Sequence, residues 1–342
     1  MEKLFGTTKE GDKVLELIIE NKKGLKASVL TYGCIIKNLW VYNKRGDIYD
    51  TVLGYDVLKE YEEDKYYMGA VIGRVANRIE NSCFELNGRR YELSRNSGRH
   101  HLHGGEKGFN KRVWKLKDKK KNKVVLSRCS VHMEEGYPGS AEVDVSYELN
   151  ENNELVIAYK AVSDLDTPIS LTNHSYFKLD NYENILNHSL RLFSDEVLLC
   201  SNEVIPTKTV SVAEYKEFDF REARNFSEFL PACGGELKKT SGYDNSFIFP
   251  LAEMQKMAEL GSANSGIKMT VSSNERAIHV YSGNYLDIKN GKDGTHYGIH
   301  AGVCFETGAY PNAVSRNNFP SVILKAGDTY NRESRYRFSG IE

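Results

Sequence analysis

The sequence predicts an all-β protein, and three observations carry that prediction. The first is a period of two: Ala141-Glu-Val-Asp-Val-Ser-Tyr-Glu-Leu149 alternates apolar and polar residues without a break, as a strand with one buried face does. The second is turn chemistry at strand-like intervals, above all Asn87-Gly88, a pair that accepts the positive φ angles of a type I′ hairpin turn. The third is the scarcity of helical periods. Strands do not alternate with long amphipathic helices, which argues against a parallel α/β fold.

Taken along the chain, β-rich runs stand at residues 14–19 and 35–41. Residues 83–86 and 89–93 flank Asn87-Gly88 and form the first hairpin. A run at 124–126 precedes the alternating segment 141–149, which Asn150-Glu-Asn-Asn153 joins to a second strand at 155–162. Further runs lie at 190–193, 267–271 and 277–281. Residues 220–230 and 251–260 read as two short helices, the second equally able to lead into a hairpin through Gly261-Ser-Ala-Asn-Ser-Gly266. No fixed-period repeat and no Pro- or Gly/Ser-rich linker divides the chain, so one antiparallel β-domain of two packed sheets is expected over residues 1–342.

Charge narrows the partners. Lys plus Arg number 46 and Asp plus Glu 47, a balance that argues against a nucleic-acid or anionic-membrane binder. One run departs from it: residues 111–123 hold eight basic residues against one acid, read here as a solvated hairpin turn rather than an anion site. No apolar stretch approaches the roughly 18 residues of a membrane span. The six cysteines lie at least 33 positions apart with no C-x-x-C, so neither a zinc cage nor a dithiol pair is written. Reduced thiols and a start without a signal-peptide pattern predict a cytoplasmic protein.

Phosphate-cradling and nucleophile-elbow motifs are absent. Five polar clusters remain. Gly73-Arg-Val-Ala-Asn77-Arg78-Ile79 offers guanidinium and amide groups suited to sugar hydroxyls, or an arginine bonding loop carbonyls. His100-His101-Leu-His103-Gly-Gly105 sets three histidines before paired glycines; with Glu106 it spells His-x-His-x-x-Glu, part of a cupin-like metal motif at imperfect spacing. Asn173-His174-Ser-Tyr176-Phe177 presents a histidine able to act as acid or base, or as a satisfied core residue. Tyr243-Asp244 is a turn carboxylate. In Val303-Cys-Phe-Glu306-Thr-Gly a carboxylate sits on an apolar strand, which is costly unless it serves a purpose and makes Glu306 the most informative single residue.

These segments, in this order, resemble the galactose mutarotase (aldose 1-epimerase) family, as do Phe319-Pro320 and Ala326-Gly-Asp-Thr-Tyr330 near the C-terminus. The resemblance covers essentially the whole chain. It implies a β-supersandwich with an open cleft on one sheet, and interconversion of the α and β anomers of free aldohexoses without metal or other cofactor. It places Glu306 as general base, His174 as general acid and His103 as a second histidine beside the sugar ring. Asn77, Arg78, Tyr176 and Asp244 match sugar-contacting positions, and His279 stands where the family commonly has Gln. Two further departures are His100, in place of Asn, and Tyr310, in place of a frequent Trp. The small sugar is the one implied partner, with a monomer or homodimer as the assembly. Three alternatives stay open: an epimerase of hexose 6-phosphates drawing on residues 111–123, a sugar-binding protein without catalysis, and the cupin-like metalloenzyme.

Overall fold

The computed structural model describes residues 2–341. Its strands form three large sheets rather than the two expected, and their ladders are antiparallel. The first five strands, from Glu2–Thr7 to Ile48–Asp50, pair in chain order as one sheet. A nine-stranded sheet runs from Lys115–Lys119 through the hairpin Ala141–Leu149 and Glu154–Ser163 to the C-terminal strand Thr329–Gly340. It continues through Ile267–Ser273, Gln255–Ser262 and His188–Leu192 to its edge at Arg224–Asn225. The six-stranded sheet is ordered Tyr176–Phe177, Val303–Gly308, Ala277–Tyr281, Asp244–Ile248, Glu196–Cys200 and Pro206–Ser211.

Both smaller sheets contribute to one hydrophobic core with the nine-stranded one. Val143, Val145 and Tyr147 of the long hairpin join Leu17, Ala27 and Val29 from the five-stranded sheet and Ile278, Val303 and Phe305 from the six-stranded sheet. Polar tips of buried tyrosines tie the layers: Tyr147 donates to the Cys34 carbonyl, and Tyr336 donates to the Phe305 carbonyl at 3.1 Å. A buried Tyr keeps its place by finding such a partner.

Local chemistry explains most elements. Asn87 and Gly88 both take positive φ, 53° and 73°, as the predicted type I′ turn between Cys83–Leu86 and Arg89–Glu92 demands. The basic run is a hairpin: Lys115–Lys119 pairs with Lys123–Ser130, and its lysines find carboxylates, Lys117 with Asp144 and Lys123 with Glu148.

Neither predicted helix forms. At 220–230 the sheet edge recruits Arg224–Asn225 as its ninth strand, and Asn225 with Glu228 caps a single 3₁₀ turn. Phe220 and Phe226 there pack on Tyr243, so tertiary burial overrides local pattern. At 251–260 the hairpin alternative holds: Gln255–Ser262 pairs with Ile267–Ser273. A bulge between Lys256 and Ala258 buries Met257 and Ala258 in succession and breaks the alternation, which is why the segment mimics a helix. The α-helix among the described residues, Leu58–Glu63, was not foreseen; Val57 precedes it with no side-chain cap, so the usual start signal is missing.

Candidate active site

The cleft lies on the outer face of the six-stranded sheet. On its three adjacent strands, Phe247, Ile278, Val280, Val303 and Phe305 point into the core. The intervening residues therefore point away from it. Register then assembles them: His279 lies opposite Glu306, Ser246 opposite His279, Asp244 opposite Tyr281, and Cys304 opposite both Tyr281 and Tyr176. Alternation on three strands thus brings together groups far apart in the chain.

Loops supply the other wall. His174 follows Thr172–Asn173, which pairs with Val71–Ile72. Asn173 fixes this turn, its side chain donating to the Gly69 carbonyl (3.0 Å) and accepting from the Ser175 N–H (3.1 Å). His103 and Asn77 both adopt left-handed backbone and interlock: the His103 N–H donates to the Asn77 carbonyl, and the Asn77 N–H donates to Nδ1 of His103 at 3.2 Å. Gly104 makes the approach possible, since a Cβ there would collide with the Gly73 carbonyl.

A cleft of about 340 Å³ results, and all eight predicted residues line it: Asn77, Arg78, His103, His174, Tyr176, Asp244, His279 and Glu306. Nε2 of His174 faces Oε1 of Glu306 at 3.6 Å, both residues about 5% exposed. That gap is too long for a hydrogen bond, so each group keeps capacity for a ligand. Nδ1 of His174 lies 3.5 Å from Cys304 Sγ. Nε2 of His279 lies 2.7 Å from Oδ1 of Asp244, and its Nδ1 lies 2.9 Å from Ser246 Oγ.

Burial and charge set the protonation states. Burial, with the His174 and Arg78 charges adding to it, pushes His103 well below the usual imidazole value, so it is neutral. Its Nδ1 accepts the Asn77 N–H, which leaves the proton on Nε2. For Asp244, burial favours the neutral acid but His279 outweighs it, with Arg78 and His174 helping, and the carboxyl is held below its usual value. For His279, burial opposes the charge, yet Asp244 and then Glu306 hold the imidazole above its usual value. Burial pushes the Cys304 thiol well up.

Several site residues escaped sequence reasoning. Tyr281 and Cys304 sit two positions from His279 and Glu306, so strand alternation was the signal for them. Tyr67 had none. Its ring packs 4.6 Å from that of His103 and 5.8 Å from that of His174. Half-buried Asp64 holds its loop, accepting from Tyr66 N–H (3.1 Å), Met68 N–H (2.8 Å) and the Tyr55 hydroxyl (2.7 Å). Tyr285, Lys65, Tyr66 and Leu102 also line the cleft, while His100 does not and accepts from the Asn81 N–H instead.

The remaining groups of these sequence segments are structural. Arg74 is buried and bonds the Pro138, Gly139 and Ser130 carbonyls, as the loop-bonding reading of its segment held. Tyr310 packs edge-on against Phe319, away from the cleft. The cupin-like reading fails: His101 spends Nε2 on the Tyr137 hydroxyl and Nδ1 on the Ser94 carbonyl, and Glu106 is exposed. His103, His174 and Glu306 do bring ligand atoms within 4.8 Å of one another. With its proton on Nε2, however, His103 is a donor, and a metal there would need that nitrogen bare.

Comparisons with known proteins agree with this architecture. A family model described as aldose 1-epimerase matches residues 16–337. Galactose mutarotase of Sus scrofa is 37% identical over 98% of this chain and 97% of its own length. Aldose 1-epimerase of Haemophilus influenzae is 34% identical over 94% and 95%. Among solved structures, the GalM/aldose epimerase homologue of C. elegans superimposes with a TM-score of 0.89 at 32% identity, covering 96% of this chain and 99% of that one. The chain belongs to the aldose 1-epimerase family.

Proposed function

We infer that this isomerase interconverts the α and β anomers of free aldohexoses such as D-galactose and D-glucose. The observation that carries the reading is the facing pair of Glu306 and His174, 3.6 Å apart, buried and not hydrogen-bonded to each other. Anomer exchange removes a proton from the anomeric hydroxyl while the ring oxygen gains one. Glu306 takes the first proton and His174 supplies the second, opening the ring to the aldehyde. Rotation about C1–C2 presents the other carbonyl face, and the same pair working in reverse closes the ring. His103, a neutral donor, sits beside the ring; Asn77, Arg78, Tyr176 and Asp244 hold hydroxyls, with His279 beside Asp244. The cleft volume falls within the roughly 300–1,000 Å³ of small-molecule sites.

The protein works as one domain over residues 1–342, as a monomer or homodimer. Six free cysteines suit a reducing, cytoplasmic setting. None of residues 111–123 lines the cleft, which favours free sugars over hexose 6-phosphates. Polarimetry of freshly dissolved α-D-galactose tests the reading. Wild type should bring the rotation quickly to equilibrium, with or without chelator, and Glu306→Gln should not. No rate above the buffer blank would overturn it, and activity confined to hexose 6-phosphates would move the assignment there.

A further inference from the structure

His279 lines the cleft, yet both of its ring nitrogens are already engaged. One lies 2.7 Å from Asp244 and the other 2.9 Å from the Ser246 hydroxyl. An imidazole has two polar atoms, so none is left for a sugar hydroxyl. We propose that His279 is a positioning residue that acts on the sugar through Asp244, holding that carboxylate in place and ionised, and does not itself contact the substrate. The proposal rests on the sugar reading above and refines it, since sequence resemblance places His279 at a sugar-contacting position.

The arrangement has a built-in tolerance. Ser246 can donate to a bare Nδ1 or accept from a protonated one, so the Ser246–His279–Asp244 chain persists in either state. What changes is the Asp244 bond, which is charge-assisted while the imidazole is protonated and weaker once it is neutral. The charged and titratable groups facing His279 are Asp244, Glu306 directly across the strand pair, Arg78 and His103. The two carboxylates favour the imidazolium and Arg78 opposes it. Sugar affinity should therefore fall on the alkaline side as His279 loses its proton, while the Glu306–His174 pair goes on turning over bound sugar.

Three variants and one spectrum test this. His279→Ala should raise KM about tenfold or more with kcat within about threefold of wild type. His279→Gln, whose amide can donate to Asp244 and accept from Ser246, should recover most of that loss and abolish the alkaline rise in KM. In imidazole NMR of the sugar-free protein, the His279 titration should lie above that of an exposed histidine and drop on Asp244→Asn, a readout independent of turnover. A His279→Gln as damaging as His279→Ala, or a loss falling on kcat instead of KM, would overturn the proposal. So would a titration indifferent to Asp244→Asn. Should the wild type prove inactive on every aldose, the function reading fails while the NMR result still decides the His279–Asp244 coupling.

Discussion

Cys304 Sγ lies 3.5 Å from Nδ1 of His174, bridging two elements separated by 130 positions in the chain. Burial pushes the thiol well up, so it stays protonated, and it can donate to a bare Nδ1 or accept from a protonated one. It is thus a polar partner placed to hold the His174 ring where Nε2 faces Glu306. Cys304→Ala removes the partner at the loss of a single heavy atom; kcat should fall about tenfold. Cys304→Ser should restore it. An unchanged kcat in the Ala variant would show that packing alone positions the ring.

On the mechanism proposed above, Glu306 and His174 act as a two-member proton relay, and their removal should be non-additive. Glu306→Gln and His174→Asn should each lower kcat by about 10²–10⁴-fold, the usual range for positioned acid–base groups. The double variant should be scarcely worse than the poorer single one, because either loss already stops concerted transfer. Stopped-flow polarimetry on α-D-galactose reads all three. Multiplicative losses would mean that the two groups act in separate steps.

The legibility of this site in the sequence follows from what each residue depends on. Glu306 betrays itself because a carboxylate in Val303-Cys-Phe-Glu306 violates strand patterning, and His174 because it stands among polar groups. Tyr67 depends on a turn held by Asp64 from three residues away in sequence and on rings brought from residues 103 and 174, none of it expressed as a local period. The three-sheet layering was hidden for the same reason: alternation reports that a strand has a buried face, not which sheet covers it. The missed helix and the two false ones lie where a cap is absent, a bulge breaks register, or an edge strand is recruited by its neighbour.

Asp64 should control the Tyr67 wall. Asp64→Ala strands the N–H groups of Tyr66 and Met68 and the Tyr55 hydroxyl, and each buried unpaired group costs about 1–3 kcal/mol. The expected outcome is a lower melting temperature together with a KM raised about tenfold, since Tyr67 packs on His103 and His174 without taking part in proton transfer. Hydrogen exchange at residues 66–68 should accelerate. Tyr67→Phe should behave as wild type, because what it contributes is the ring face; a large kcat loss in that variant would assign its hydroxyl to the chemistry.

His188 should make the fold acid-sensitive. Its Nε2 accepts the Leu179 N–H at 2.9 Å, and Nδ1 has no bonded partner among the described residues, with Asp180 4.0 Å away. Burial pushes this imidazole down to about 4, Asp180 only partly opposing it. Above the unfolded value near pH ~6.5 both states are neutral and nothing is lost. Between about 6.5 and 4 the unfolded chain takes up a proton that the folded chain refuses, so stability falls as pH falls through that window. His103, also held neutral, acts with the same sign. Asp64 and Glu275 act with the opposite one, because burial raises their carboxyls and the folded state then holds the extra proton. The His188 contribution is therefore read by difference. Urea midpoints should drop more steeply from pH 7.5 to 5 in wild type than in His188→Gln, whose amide oxygen can accept the Leu179 N–H without titrating. Parallel pH dependences for the two proteins would place the acid sensitivity elsewhere.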